Sequence, residues 1–262
     1  MNIETAANAL LNAEQERTTI APFTSSTDIS AEDAYRIQLL TIERKIQQGA
    51  TLKGMKIGLT SKAMQDMLNV YTPDYGHILD DMVYEENEPI EVDKFIQPKV
   101  EFEIAFVLNQ DLKGPNIIEN DVLQATQYVV PAIEIIDSRI EDWKIKFEDT
   151  VADNGSSAGA VLGKKKTLLK GIDLAAIEMK AFKNGEQFDS ATGAAVLGNP
   201  VKAVVWLANE LANYNISLRK GDFVLAGALS KAVPFEEGDQ FSADFGVLGE
   251  VSISFAKAGV KK

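Results

Sequence analysis

Cysteine is absent from this 262-residue sequence, and histidine occurs once, at His77. The lack of cysteine excludes disulfides, thiolate metal sites and cysteine nucleophiles, and it is typical of proteins from a reducing cytoplasm. A single histidine cannot form a histidine-rich metal site, and no serine or aspartate stands at a spacing that indicates a catalytic triad. Because the stretch from 71 to 77 carries turn-forming proline and glycine, we expect His77 to be a loop residue.

Long apolar runs and an excess of positive charge are also absent. No apolar stretch approaches the roughly 20 residues that a membrane-spanning helix needs. The N-terminus lacks the basic and apolar regions of a secretory signal. A formal net charge of −13 disfavours binding to nucleic acid or to an anionic membrane. With an ordinary hydrophobic content of 45%, the sequence predicts a soluble cytoplasmic protein without a nucleic-acid or membrane partner.

Helix-forming patterns occupy the N-terminal residues, and strand patterns occupy most of the remaining chain. Ser30 followed by Asp33 forms a capping box, and Gly49 is a helix-ending glycine, so we predict a helix between them. Further helices are expected at 5–16, 61–68, 122–130 and after Asn199-Pro200, and strands at 52–61, 99–108, 131–139, 175–183, 222–226, 240–245 and 250–255. These patterns predict an α+β fold, with a helical N-terminal region over residues 1–51 and a strand-rich domain over 52–262.

Acidic residues stand inside two of the apolar strand patterns. Glu101 and Glu103 are two residues apart and therefore project from the same face of their strand. Glu134 lies between Ile133 and Ile135 in the second strand. Adjacent carboxylates are tolerated when they face water or share a cation, so both interpretations remain open from these residues alone.

A metal interpretation specifies the kind of ion and its chemistry. Three carboxylates without cysteine or histidine favour a hard divalent ion, Mg²⁺ or Mn²⁺, with Ca²⁺ less suited. Such an ion acts as a Lewis acid on a 2-oxo acid. Lys56, between Met55 and Ile57, is a candidate buried amine whose pKa a nearby cation would lower, which suits proton transfer. A lysine at a strand end without a catalytic role is the alternative.

A small polar loop, Asp153–Gly159, enters another apolar stretch. It is either a plain turn or a loop that offers backbone N–H groups and hydroxyls to an anion or a carbonyl. Its spacing matches neither GxxxxGK[ST] nor GxGxxG, which excludes those nucleotide-phosphate motifs.

Several motifs in this order resemble one known enzyme family. They are GMKIGLTSKAMQ, TPDYG, KVEFEIAFVL, PAIEIIDSRIEDW, DTVADNGSSAGAVLG and GALSKAVPFEEGDQFSADFGVLGEVSISF. Together they are similar to the 2-keto-4-pentenoate hydratase and 4-oxalocrotonate decarboxylase branch of the fumarylacetoacetate hydrolase superfamily, from about Leu52 to Phe255. The resemblance implies a mixed β-roll core of the fumarylacetoacetate hydrolase C-terminal type. It also implies a bound divalent metal and a homo-oligomer, commonly built from pentamers.

The resemblance implies a role for each matching residue. Glu101, Glu103 and Glu134 would be the metal ligands, Lys56 the acid/base and Asp74 of the PDYG motif its assistant, while Ser157 or Ser156 would contact the substrate carboxylate or the attacking water beside Asp153 and Asn154. The substrate would be a small 2-oxo or 2-hydroxydienoic acid.

The implied reaction is addition of water to 2-hydroxypenta-2,4-dienoate to give 4-hydroxy-2-oxopentanoate. The PDYG motif and the segment 142–145, DWKI, are similar to hydratases, whereas Asp137 is shared with decarboxylase-like members. Because both enzymes share the metal site, 4-oxalocrotonate decarboxylase remains an alternative. A non-catalytic partner subunit of such an enzyme is a further alternative.

Overall fold

The computed structural model describes residues 1–62, 65–66, 69–257 and 259, so the helix expected at 61–68 lies partly outside the described residues. The helices are α1 (Ile3–Glu16), α2 (Ala31–Gln47), α3 (Glu119–Ala125), α4 (Phe147–Ala152) and α5 (Pro200–Leu211). The strands are β1 (Leu52–Gly58), β2 (Asp74–Leu79), β3 (Val83–Tyr84), β4 (Ile90–Glu91), β5 (Pro98–Leu108), β6 (Thr126–Asp137), β7 (Ser157–Leu162), β8 (Glu178–Lys183), β9 (Glu186–Thr192), β10 (Phe223–Leu225), β11 (Val233–Pro234), β12 (Gln240–Asp244) and β13 (Glu250–Ala256). In this part of the chain no helix is long and apolar enough to cross a membrane.

A large mixed sheet organises the molecule around its two longest strands. Its order is β2-β1-β10-β5-β6-β7-β3, and β11 also pairs with β5. Strands β5 and β6 run antiparallel along almost their whole length, from Pro98 opposite Asp137 to Leu108 opposite Thr126. A second sheet, in the order β4-β13-β12-β8-β9, packs beside it. The predicted α+β class is confirmed.

The two faces of the large sheet differ in chemistry because side chains alternate along each strand. One face carries Phe102, Ile104 and Ile133, which are fully buried in the main hydrophobic core. The other face carries Glu101 and Glu103, followed by a smaller apolar cluster that includes Ala105, Val130, Ala132 and Leu225. This second face therefore places charged groups on a rigid, mostly buried support.

Of the N-terminal helices, α2 packs against β2 and α4, and α1 packs on α2. Helix α1 buries Ala6, Ala7, Leu10 and Ala13, which lie on one face. Helix α2 begins where the Ser30 hydroxyl accepts a hydrogen bond from the Asp33 N–H, as the capping box predicts. Gln38 of α2 donates from Nε2 to the carbonyls of Tyr75 (2.9 Å) and Val151 (2.7 Å), which joins α2 to β2 and α4.

Two local predictions are wrong, and β pairing explains both. The helix expected at 122–130 ends at Ala125, because the β-branched run from Thr126 pairs with the end of β5. His77 is not a loop residue: it lies within β2, opposite Met55 of β1, and only 3% of its surface is exposed. Turn-forming residues before Asp74 mark the start of that strand.

Candidate metal centre

Three carboxylates meet on the charged face of the β5–β6 pair. Glu101 lies directly opposite Glu134 in the strand register, and Glu103 follows two residues later on β5. One oxygen from each lies within 4.8 Å of the others. Glu103 and Glu134 are fully buried, whereas Glu101 is partly exposed. The strand period aligns Glu101 with Glu103, and the β5–β6 register adds Glu134 to the predicted ligands.

The hydrogen-bonding state of these carboxylates fits a divalent cation. Within the described residues, Oε1 of Glu103 and both carboxylate oxygens of Glu134 have no hydrogen-bond partner. Buried carboxylates without partners are costly, and oxygen ligands of this number suit a hard ion. Burial raises the pKa of Glu103 and of Glu134, the latter to about 7. Repulsion from Glu134 and Glu101 adds to the shift of Glu103, whereas for Glu134 the charge on Lys56 opposes the shift and Glu101 adds to it. The cluster therefore has the composition and the unsatisfied charge of a metal site.

A backbone N–H group, that of Gly227, holds the candidate ligand Glu103 in place. The N–H of Gly227 donates to Oε2 of Glu103 at 2.7 Å. Gly227 has φ +116°, and a Cβ atom there would lie 2.3 Å from Thr60 Oγ1. Only glycine combines this backbone conformation with this close approach, so the loop can place its N–H against the carboxylate.

Lys56 extends from β1 toward the same cluster. The side chain is buried, and Nζ lies 3.8 Å from Oε1 of Glu134. Burial acts to lower the pKa of Lys56, but Glu134, Asp74 and the other two glutamates together raise it. The lowered pKa expected from the sequence presupposes a cation beside the amine. With the carboxylates alone around it, Lys56 is held as an ammonium ion.

Asp74 stands at the start of β2, opposite Gly58 of β1. Only 3% of its surface is exposed. Burial raises its pKa, and the opposing influences are the charge on Lys56 and a hydrogen bond from the Gly58 backbone. The structure therefore brings Asp74 and Lys56, both predicted from the sequence, into one buried charged group.

The turn after α4 covers this group. Asn154, Gly155 and Ser156 are consecutive residues with φ between +55° and +58°, a conformation that non-glycine residues rarely adopt. A Cβ atom on Gly155 would lie 2.9 Å from Lys56 Cε and 3.3 Å from Asp74 Oδ1. The hydroxyl of Ser157 is buried and faces Glu134, whose pKa it acts to lower, without forming a hydrogen bond of good geometry within the described chain. Such strain beside a charged site is typical of functional loops.

Arg139 contacts both ends of this turn. Its role was not predicted from the sequence. Its Nε donates to Asp153 Oδ1 and its Nη2 to the Asp153 carbonyl, each at 2.5 Å. Its Nη1 donates to the carbonyls of Asp137 and Ser157. A charged residue directly after an apolar strand was the available indication. The Asp153 carboxylate, expected to bind substrate, is thus engaged by a buried arginine.

Asn154 is also engaged within the protein. Its Oδ1 accepts from the His77 N–H at 2.8 Å and its Nδ2 donates to the His77 carbonyl at 2.9 Å, so the side chain extends the edge of β2 like a strand residue. The Ser156 hydroxyl lies 3.4 Å from Asp153 Oδ2. Among the polar groups of the loop predicted to bind substrate, Ser157 is the one whose hydroxyl is buried without a hydrogen bond of good geometry in the described residues.

Comparison with known proteins agrees with this geometry. The fumarylacetoacetate hydrolase C-terminal family matches residues 60–255. A 2-hydroxyhexa-2,4-dienoate hydratase of Comamonas testosteroni is 44% identical, over 97% of this chain and 98% of that protein. A 2-hydroxypent-2,4-dienoate hydratase of Pseudomonas putida is 46% identical, over 82% of this chain and 98% of that protein.

A solved structure confirms the predicted fold type. The 4-oxalocrotonate decarboxylase from Pseudomonas putida G7, complexed with magnesium and adipate, has a TM-score of 0.93 and 35% sequence identity, and the match covers 97% of each chain. The chain therefore belongs to the fumarylacetoacetate hydrolase family, in its branch of 2-keto-4-pentenoate hydratases and 4-oxalocrotonate decarboxylases.

Proposed function

We propose that this protein is a hydratase that adds water to 2-hydroxypenta-2,4-dienoate and yields 4-hydroxy-2-oxopentanoate. The observation that carries the proposal is the buried cluster of Glu101, Glu103 and Glu134 with Lys56 beside it. Relatives with 44–46% identity are hydratases of short 2-hydroxydienoates, which supports the same substrate class here.

Glu101, Glu103 and Glu134 would hold the divalent metal, which we propose to be Mg²⁺ or Mn²⁺. The all-oxygen ligand set supports these ions over softer ones. When bound, such an ion supplies positive charge that stabilises the enolate form of a 2-oxo acid. The partial exposure of Glu101 leaves one side of the cluster open to substrate.

Lys56 is the proposed acid for the first step. The surrounding carboxylates favour its charged form, and a bound cation would lower its pKa again toward the range of a general acid. Lys56 would then donate a proton to C5 of the dienol while the enol O–H proton returns to the amine. The product of that step is 2-oxopent-3-enoate, whose C4 is electrophilic. Asp74 would hold the ammonium group in place through its charge.

Ser157 is proposed to orient the water that attacks C4. Its buried hydroxyl lies in the turn that covers Lys56. The hydroxyl group of water is added at C4 and a proton at C3, which completes the hydration. In this proposal Asp153, Asn154 and Ser156 keep the turn in shape, since their side chains are engaged with Arg139, His77 and Asp153.

The test follows the loss of dienoate absorbance with Mg²⁺ or Mn²⁺, with and without excess chelator. We expect turnover that depends on the ion and stops in chelator. Full activity in excess chelator would contradict the metal role, and no turnover under any condition would contradict the hydratase assignment.

A second candidate is 4-oxalocrotonate decarboxylase, which the structural likeness to that enzyme favours. A metal-held enolate would serve decarboxylation as well as hydration. Release of CO₂ from 2-oxo-3-hexenedioate, without hydration of the pentadienoate, would select this alternative. A protein inactive on both substrates that alters the activity of an added relative would be a partner subunit.

We further propose a homo-oligomer built from pentamers, on the basis of the family resemblance. Native mass spectrometry of the purified chain would check it, and a monomer at micromolar concentration would contradict it.

A further inference from the structure

A second lysine shares the sheet face of the metal ligands. Lys99 precedes Glu101 by two residues on β5, so it projects from the same face as Glu101 and Glu103. The side chain is half-buried. No carboxylate lies within ion-pair distance of it among the described residues, although the protein has a net charge of −13. Glu101 acts on this ammonium group only from beyond ion-pair distance. A half-buried ammonium group without an ion pair is unexpected in so acidic a protein.

Trp143 holds this ammonium group without neutralising it. Lys99 Nζ lies 3.9 Å from the centroid of the Trp143 ring, a cation–π contact. The indole Nε1 donates to the Gln97 carbonyl at 3.0 Å, which fixes the ring. Asp142 and Trp143 have φ of +54° and +55°, two successive left-handed residues. The strained turn presents the ring to Lys99, and the positive charge is retained.

Lys99 and Lys56 lie toward opposite ends of the carboxylate cluster. Lys56 is level with Leu225 of β10, which pairs with Ala105, beyond Glu103. Lys99 lies on the other side of Glu101, opposite Ile136, and Ile136 in turn pairs with Ser157. Along the strands, Lys99 therefore lies at one end of the carboxylate cluster and the backbone of Lys56 at the other. The Lys56 side chain reaches back from there to Glu134 and to the turn at 154–157.

We propose that Lys99, held over Trp143, binds the C1 carboxylate of the 2-oxo acid substrate. The proposal rests on the proposed function, in which Lys56 protonates C5. If the tail of the substrate points to Lys56, its acid group points to the end of the cluster where Lys99 lies. Lys99 is then a binding residue for any 2-oxo acid, whatever its tail.

The charge of the site explains why such a residue is required. With Asp74, Glu101, Glu103 and Glu134 ionised, four carboxylates face one ammonium group of Lys56 and three negative charges are in excess. A divalent ion reduces the excess to one negative charge. An anionic substrate would still be repelled, and the charge on Lys99 offsets that repulsion.

The test compares Lys99→Gln with Lys99→Arg. We expect Lys99→Gln to raise KM about tenfold with kcat changed less than about threefold, since a charged hydrogen bond to the substrate acid is lost. Lys99→Arg should stay near wild type. The matched control is Lys144→Gln, which removes an exposed lysine paired with Asp142 in the same turn. An unchanged KM in Lys99→Gln, or an equal rise in the control, would overturn the proposal.

A binding experiment separates this proposal from the activity itself. Pyruvate has the acid end of the substrate and no tail, and its Kd for the Mg²⁺-loaded protein is measured by titration calorimetry. Lys99→Gln should weaken pyruvate binding by the same factor as it raises KM. If Lys99→Gln raises KM but leaves the Kd of pyruvate unchanged, Lys99 contacts the tail of the substrate, and the assignment is overturned. If the wild type hydrates nothing, the proposed function fails, and the pyruvate titration still decides the role of Lys99.

Discussion

At the residue scale, Lys56 is the group whose chemistry depends most on its surroundings. It is buried among four carboxylates that favour its charged form. We expect Lys56→Ala to lower kcat by a factor of about 10²–10⁴, the usual contribution of a general acid. Steady-state assays with saturating metal measure this. Lys53→Ala, which removes an exposed lysine from the same strand, should leave kcat near wild type, and comparable losses in both variants would remove Lys56 from the mechanism.

His77 provides a pH-dependent prediction, because it is the only histidine. Burial lowers its pKa to about 4. The folded protein therefore binds the proton less well than the unfolded chain, whose histidine titrates near 6.5. The contribution of neutral His77 to stability is complete above about pH 6.5 and is lost as the pH falls toward 4, by roughly 3 kcal/mol.

Two measurements check the His77 prediction. NMR of the single imidazole should give a folded-state pKa well below 6. Denaturant unfolding at pH 7 and pH 5 should show a smaller loss of stability on acidification in His77→Gln than in wild type. The carboxylates are common to both proteins and cancel in this comparison. Equal losses, or an imidazole that titrates near 6.5, would contradict the burial argument.

At the scale of elements, Arg139 ties the end of β6 to the turn before β7. Its planar guanidinium reaches Asp153 and Ser157, at the two ends of the left-handed turn, in a geometry that an ammonium group cannot reproduce. We expect Arg139→Lys to fold and to lose kcat by up to about 10²-fold, because small displacements of a catalytic group have effects of that size.

A double-mutant cycle distinguishes positioning from general destabilisation. If Arg139 acts by placing the Ser157 hydroxyl, then Arg139→Lys combined with Ser157→Ala should lower kcat little further than Ser157→Ala alone. Multiplying effects on kcat, measured well below the unfolding temperature, would show that Arg139 acts independently of Ser157 and would contradict the positioning role. Lys146→Arg, near the start of α4, is a control that likewise keeps the positive charge.

Elements with local determinants were predictable from the sequence. The Ser30 cap of α2 and the Asn199-Pro200 start of α5 depend on neighbouring residues, and both helices are present. The prediction of a helix at 126–130 was wrong, because the conformation of these residues depends on pairing with the end of β5, which is distant in the sequence. The same limit applies to Asn154, whose partner His77 is 77 residues away in the chain.

The candidate metal ligands were predictable because side chains alternate along a β-strand. A two-residue spacing fixes a common face for Glu101 and Glu103, and an acid amid isoleucines at 134 needs a partner. The role of Arg139 was not predicted, because it depends on contacts with the turn at 153–157. The pattern of apolar residues around Arg139 contains no information on that turn.

At the scale of the whole molecule, we expect the carboxylate cluster to lower the stability of the metal-free protein. Three carboxylates, two of them fully buried, repel one another within the sheet. We expect Mg²⁺ to raise the unfolding free energy, by about 2.7 kcal/mol at 100 times its Kd. Scanning calorimetry in chelator and in metal measures the difference. No shift at saturating metal would contradict binding at this cluster.

Glu134→Gln tests the same argument from the opposite direction. Removing one buried charge relieves repulsion, so in chelator the variant should unfold at or above the wild-type temperature. In metal it should lose most of the wild-type shift. Glu178→Gln, at an exposed position of the second sheet, should behave like wild type in both conditions. If the variant is less stable than wild type in chelator, the attraction between Lys56 and Glu134 outweighs the repulsion between Glu134 and the other two carboxylates, and the argument is contradicted.

The hydrogen bonds between Asn154 and His77 also affect the chemical stability of the chain over time. Asn154 is followed by Gly155, and in a flexible chain the glycine nitrogen readily attacks the asparagine side-chain carbonyl and displaces ammonia. Water then opens the resulting cyclic imide to aspartate or isoaspartate. In the folded protein the amide is held by the His77 backbone. After conversion, a carboxylate oxygen would face the His77 carbonyl where a donor stood. Each unfolding event therefore exposes the chain to a chemical change that prevents a full return to the native site.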